Sequence, residues 1–188
     1  MAIQGKTDVD QLLADSLKEI AAKRPVEKIT IKEITDKAGV IRPTFYNHFQ
    51  DKFELIEWII RKELLEPVEP LLGNGMILEA MVLLFTNIEK EQAFYTRLVR
   101  MEGPVRFHEI AQKCVGIVLE ELIEKQSSGK VSRHKWLTPK VVAAYYAQSM
   151  CFATEEWISM GMTISPREMA EAYQYMLTRS FTDVVREL

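Results

Sequence analysis

The chain has 188 residues, 47% of them apolar and 27% charged, and a net charge of −3 at neutral pH. That is the balance of an ordinary globular protein, long enough for one compact domain or a small domain fused to a larger one. It excludes a uniformly basic nucleic-acid coat protein, so any DNA-binding surface must be local.

The opening residues, MAIQGKTDVDQ, lack the apolar centre of a secretory leader. The longest weakly apolar stretch, residues 141–153, falls short of the ~20 residues that a membrane span needs, so no membrane association is expected. Two cysteines, Cys114 and Cys151, make no disulfide framework, and a reducing cytoplasm fits best.

The apolar pattern is helical throughout, and nothing of useful length alternates with period two. The expected class is all-α, with about nine helices. A first helix spans about Thr7 to Lys23, with Val9, Leu12, Leu13, Leu17 and Ile20 on one face and Pro25 just beyond its end. A second opens at Thr30, where Thr30 and Glu33 have capping-box spacing, and Ile31, Ile34 and Ala38 give it an apolar side. Gly39 supplies a turn and Val40 points back to the core. The third helix is expected over Arg42 to Phe49, with Pro43 in its first turn and Phe45 and Phe49 facing inward.

A fourth helix runs from near Asp51 to about Leu65, stopped by Pro67 and Pro70, and Gly73-Asn74-Gly75 reads as a loop. The domain boundary is placed inside this helix, giving a helix-turn-helix unit over 1–52 and a larger unit over 53–188 that the fourth helix couples mechanically. Further helices are expected at about 76–89, 91–101, 105–125, 138–160 and 166–186, with a surface loop from Gln126 to His134.

Residues 30–52, TIKEITDKAGVIRPTFYNHFQDK, therefore read as a helix-turn-helix. Such a motif presents the start of its second helix to base edges and its flanks to phosphates. Arg42 has the geometry to bond guanine in a bidentate way, and Thr44 to touch a base methyl or a phosphate. Asn47 suits adenine or a phosphate, and Tyr46 and His48 suit phosphate oxygens. Lys52 with the start of the fourth helix, and Thr30 with the start of the second, read as further anion sites. Between Lys28 and Lys52 there are five Lys or Arg against three Asp or Glu, so geometry and helix ends must contribute as much as charge.

The blocks ITIKEITDKAGV, IRPTFYNHF and DKFEL resemble the TetR family of bacterial regulators over roughly residues 8–60. The resemblance implies an all-helical homodimer whose N-terminal domain binds double-stranded DNA at a palindromic operator. It implies a divergent C-terminal domain that binds a small molecule and dimerises. By the family pattern Thr30, Arg42, Thr44, Tyr46, His48 and Lys52 are DNA contacts. One departure is Ile41, where the family often has a serine that caps the recognition helix. Isoleucine cannot cap, and is left to touch thymine methyls or pack on the second helix.

The C-terminal part has no GxSxG, P-loop or HExxH motif, and His48, His108 and His134 lie at unhelpful spacings for a metal. No catalytic residue, metal or cofactor is expected. Cys114, Cys151 and His108 offer a thiolate site on paper, but two buried apolar cysteines are the simpler reading. Phe94, Met101, Phe107, Tyr145, Met150 and Trp157 are the candidate walls of a ligand pocket, with Tyr95, Tyr146 and Phe152 beside them. Arg97, Arg100, Glu102 and Arg106 flank Gly103-Pro104 and either orient an anionic ligand or stay solvated.

The stretch from Phe94 through EGPVRF to Trp157 and SMGM is also similar to the C-terminal domain of a subgroup that includes regulators of dihydroxyacetone utilisation. One regulator of that subgroup is activated by a protein partner resembling a kinase subunit, which keeps a protein effector open beside a small molecule. The last two helices, about 138–160 and 166–186, are the candidate dimer surface, from the apolar stripe Met169 to Val184 and from the family. The combined expectation is a repressor released from its operator by an effector. The alternative is an activator or coactivator controlled by a protein partner bound to the C-terminal domain.

Overall fold

Eleven α-helices joined by short turns make up most of the regular structure of residues 2–127 and 132–187, the part described by the computed structural model. No strand occurs among the described residues. Helix α1 (Ala2–Ala21) buries Leu13, Ala14, Leu17 and Ala21 completely. Leu12, expected on that face, is half exposed because it points one step round the helix from Leu13. A 3₁₀ turn (Val26–Lys28) leads into α2 (Ile31–Ala38).

The capping box at the start of α2 is fully formed. Glu33 N–H donates to the Thr30 hydroxyl at 3.3 Å, and Thr30 N–H donates to the Glu33 carboxylate at 2.9 Å. Gly39 ends the helix in the left-handed region at φ +71°, where a side chain would be strained. Ile41 is extended and makes no side-chain cap, and α3 starts directly after it.

Helix α3 (Arg42–Tyr46) is shorter than expected. The chain leaves it through Asn47 to Gln50 because Asp51 is extended, at φ −153°, to cap α4. Helix α4 (Lys52–Ile59) continues without a break, but its backbone widens into a π turn over Ile60–Leu65, with Glu66 N–H bonded to the Arg61 carbonyl at 2.8 Å. The periodic pattern gave no sign of this extra residue per turn.

Residues 69–73, assigned partly to a loop by their Pro and Gly content, form a short α5 (Glu69–Gly73) with Pro70 in its first turn, where proline is tolerated. Then come α6 (Ile77–Lys90), α7 (Gln92–Val99), α8 (Phe107–Ser127) and α9 (Pro139–Ser159). Residues 128–131 of the expected surface loop lie outside the described residues. The last expected helix is two: α10 (Pro166–Thr178) and α11 (Phe181–Glu187). Arg179 is extended between them, and the Ser180 hydroxyl accepts from Asp183 N–H at 3.2 Å to start α11. This break ends the continuous stripe from Met169 to Val184.

Helices α8 and α9 pack along each other, α10 lies on α6, and α7 touches both α1 and α9. One apolar core runs without interruption from α1 to α10. No helix is long and apolar enough to cross a membrane among the described residues.

The capping box makes α2 sensitive to acid. The Thr30 backbone N–H, the Thr30 hydroxyl and the Arg24 guanidinium lower the Glu33 pKa from 4.5 to about 2. A depressed folded-state pKa contributes stability above 4.5 that is lost as pH falls toward about 2. Melting temperature measured across this window should fall less in Glu33→Gln than in the wild type. Parallel curves for the two proteins would contradict the cap assignment.

Candidate nucleic-acid interface and effector cavity

Helix α3 is held from behind and open in front. Phe45 is fully buried and Phe49 nearly so, with ring centroids 5.9 Å apart, and Phe49 meets Trp58 of α4 edge-on at 6.3 Å. These rings fix the helix on α4 and leave its other side free. On that free side stand Ile41, Arg42, Pro43, Tyr46 and Asn47, all exposed, with Thr44 half-buried at its edge. Ile41 is 70% exposed, so it does not pack on α2. Its apolar surface faces outward, as a contact to thymine methyls requires. The Arg42 guanidinium lies 6.0 Å from the Tyr46 ring centroid and 3.3 Å from its hydroxyl, which pre-aligns two donors on one edge.

The remaining sequence candidates are engaged by the protein itself. His48 Nδ1 is 2.6 Å from Asp10 of α1, and both side chains are largely buried. The Lys52 ammonium donates to the carbonyls of Val26, Glu27 and Ile29 at 2.9, 2.9 and 2.8 Å. An ammonium has three protons, and all three are used. Burial pulls the Lys52 pKa below its ordinary value, against the pull of Glu27, Asp51 and Glu33.

The two helix ends read as anion sites are also filled from within. Asp51 accepts from Phe53 and Glu54 N–H at the start of α4, and the Thr30 hydroxyl donates to Glu33 at 2.8 Å at the start of α2. The geometry therefore brings together residues 41–43, 46 and 47. It turns Lys52 and His48 toward the scaffold that carries α3. No sequence pattern shows that a lysine will reach three backbone carbonyls.

The two ends of the molecule meet at Lys18 of α1. Its ammonium bonds both Glu63 oxygens at 2.9 and 3.0 Å, Glu91 at 3.3 Å and Asp15 at 3.2 Å. Burial alone would lower the Lys18 pKa, but Glu63, Glu91 and Asp15 together hold it above its ordinary value. Gln11 also donates to Glu63, at 3.1 Å. Glu63 belongs to the π turn and Glu91 precedes α7, so one buried charge ties α1 to both.

The six expected pocket walls do not enclose one space. Phe107 and Met150 line an interior cavity of about 40 Å³ against the π turn, together with Tyr95. Met101 and Phe107 line an open cleft of about 800 Å³ beside Arg100, Glu102, Arg106 and the His108–Glu155 pair, which stands at 2.8 Å. Arg97 is not part of that cleft. Phe94 faces α1 near Lys18. Tyr145 and Trp157 line an outer groove between α9 and α10, where the Trp157 indole N–H donates to the Ile164 carbonyl at 3.0 Å. The missed cavity walls, Ile60, Leu64 and Leu65, are ordinary core residues in the sequence, and the π turn sets their position. Cys114 and Cys151 are both buried and unpaired, and burial pushes their thiols up to about 11 and about 12.

Residues 13–59 match the family model described as bacterial regulatory proteins, tetR family, and residues 76–179 match the model of a transcriptional regulator C-terminal region. The HTH-type dhaKLM operon transcriptional activator DhaS of Lactococcus lactis is 23% identical over 158 residues, which cover 82% of this chain and 81% of the relative. A solved structure of a dihydroxyacetone kinase operon activator DhaS superposes with a TM-score of 0.63 at 21% identity, over 90% of this chain and 93% of the other. NalD, the secondary repressor of the MexAB-OprM efflux pump in Pseudomonas aeruginosa, superposes at 0.57 with 20% identity, over 90% and 93%.

Lys52→Met should lower unfolding free energy by about 1–3 kcal/mol in a denaturant titration, because three carbonyls lose a charged donor. A lysine free to meet phosphate would leave that stability unchanged.

Proposed function

Because the chain belongs to the TetR family of bacterial transcriptional regulators, we propose that it is a homodimeric repressor that leaves a palindromic operator when an effector binds its C-terminal helices. The observation that carries this reading is the outward face of α3, where Ile41, Arg42, Pro43, Tyr46 and Asn47 stand together in front of the Phe45–Phe49 anchor. Arg42 and Asn47 are assigned to base edges, Ile41 and Pro43 to apolar base contacts, and Thr44 and Tyr46 to phosphates. Thr30, His48 and Lys52 flank this face. Their part is to hold the motif together: His48 bonds Asp10 of α1, Lys52 ties the 3₁₀ turn to the start of α4, and Thr30 caps α2.

The dimer surface is assigned to α9 and α10. Tyr145, Phe152, Met160 and Met176 leave an apolar groove open there, and a second copy related by a two-fold axis would cover it as a four-helix bundle. Two recognition helices would then address half-sites about one helical turn apart, ~34–36 Å, or somewhat more. Residues 1–52 form the reading unit and 53–188 the responding unit. Helix α4 joins the two, since it starts at the Lys52 anchor and runs on into the π turn that lines the cavity. An effector acts only through its difference in affinity for the two dimer geometries.

A second reading is an activator controlled by a protein partner on the C-terminal helices. It is favoured by the relative DhaS, which is named a transcriptional activator.

Titration of a bound operator duplex and its single-base variants at fixed salt tests the face of α3. Arg42→Ala should lose discrimination at one base-pair position by ~1–3 kcal/mol, and Tyr46→Ala should weaken all duplexes alike. A uniform loss for Arg42→Ala would make it a phosphate contact. Unchanged affinity for Tyr46→Ala would remove that residue from the interface.

A further inference from the structure

The helices of the DNA-reading motif differ in how they begin. Helix α2 is capped by the Thr30 hydroxyl and α4 by the Asp51 carboxylate. Ile41 holds the cap position of α3 and makes no side-chain cap. Serine, threonine, aspartate or asparagine would stabilise the helix there, so the helix itself does not account for an isoleucine. Packing does not account for it either. Ile31, Ala38 and Val40 lie against the apolar core, while Ile41 is 70% exposed and stands apart from it.

Ile41 is nevertheless held in place. Its backbone is extended, at φ −85° and ψ 152°, and its carbonyl accepts from Thr44 N–H at 2.9 Å. The side chain is branched at Cβ, which restricts χ1 and leaves little freedom to lose on contact. Its neighbours Arg42, Tyr46 and Asn47 are exposed on the same face and offer hydrogen bonds, where Ile41 offers a branched hydrocarbon. The base edges in the major groove present donors and acceptors, and one apolar group, the 5-methyl of thymine.

We propose that Ile41 is a specificity-determining residue for the 5-methyl group of a pyrimidine, and that it fixes thymine at one position of each half-site. This rests on the reading above that α3 enters a major groove. Uracil and unmethylated cytosine lack the group that Ile41 covers. A cytosine methylated at C5 carries it on the same ring carbon. Methylation of a cytosine at that position therefore raises affinity, and the reading face distinguishes modified from unmodified DNA there.

The test starts from the duplex that selection with the full chain enriches from a random library. Each thymine is replaced in turn by uracil, which exchanges the 5-methyl for hydrogen, and dissociation constants are measured at fixed salt. In the wild type one thymine position should be sensitive, with a loss of roughly fourfold in one half-site and roughly fifteenfold in both. Ile41→Ser supplies a cap and so keeps α3 folded, and it should bind the thymine and uracil duplexes equally. Ile41→Val should retain most of the difference. With cytosine placed at the same position, 5-methylation should tighten binding by the wild type by the same factor and leave Ile41→Ser unaffected. Tolerance of uracil at every thymine would overturn the proposal and leave DNA reading by α3 intact. Sensitivity that persists in Ile41→Ser would pass the methyl to Pro43 and overturn the role of Ile41. If no duplex is enriched, the reading of α3 as a DNA helix falls, and this proposal with it.

Discussion

A single ammonium joins the first helix of this protein to the π turn and to the start of α7. Lys18 is nearly buried and bonds carboxylates from three segments: its own helix, the π turn and the residue that precedes α7. Glu63 is the least exposed of the three carboxylates, so it is the partner that matters most to this charge. A shift of helix α1 therefore strains the bond to Glu63 first. Much of the remaining architecture serves the same constraint. The core is continuous through α4, so the two ends share one apolar body as well as one charge.

At the reading end, rigidity comes from aromatic packing and internal bonds. Phe45 and Phe49 hold α3 from behind, Asp10 holds His48, and Lys52 closes the 3₁₀ turn onto the start of α4. The positive charge of Lys52 is directed inward, so the outer face relies on Arg42 and on shape. That agrees with a chain whose net charge is −3 and whose motif is only mildly basic. Selectivity in such an interface comes from base contacts held at a fixed angle, with phosphates giving register.

The helices and caps were legible in the sequence because local chemistry dictates them. Thr30 and Glu33 at capping-box spacing, Gly39 after the last helical residue and the Phe45–Phe49 repeat each point to one structure, and each is present. The helix-turn-helix was legible for the same reason. What escaped depends on tertiary context. A π turn has no periodic signature, so Leu64 and Leu65 read as generic core. Pro70 and Gly73 look like loop residues, yet proline fits a first turn and α5 forms. Nothing in the sequence around Lys52 shows that its ammonium donates to the carbonyls of Val26, Glu27 and Ile29. The break at Arg179 follows from Ser180 capping a new helix, a local signal that the longer apolar stripe masked.

The central claim is that two copies of α3 read DNA as a pair. Selection of binding sites from a random duplex library, with purified full-length protein at stated salt, tests it most directly. The account predicts one enriched sequence with two inverted half-sites, their centres separated by about one helical turn or somewhat more. Enrichment of a single unrepeated site, or of none, would contradict it.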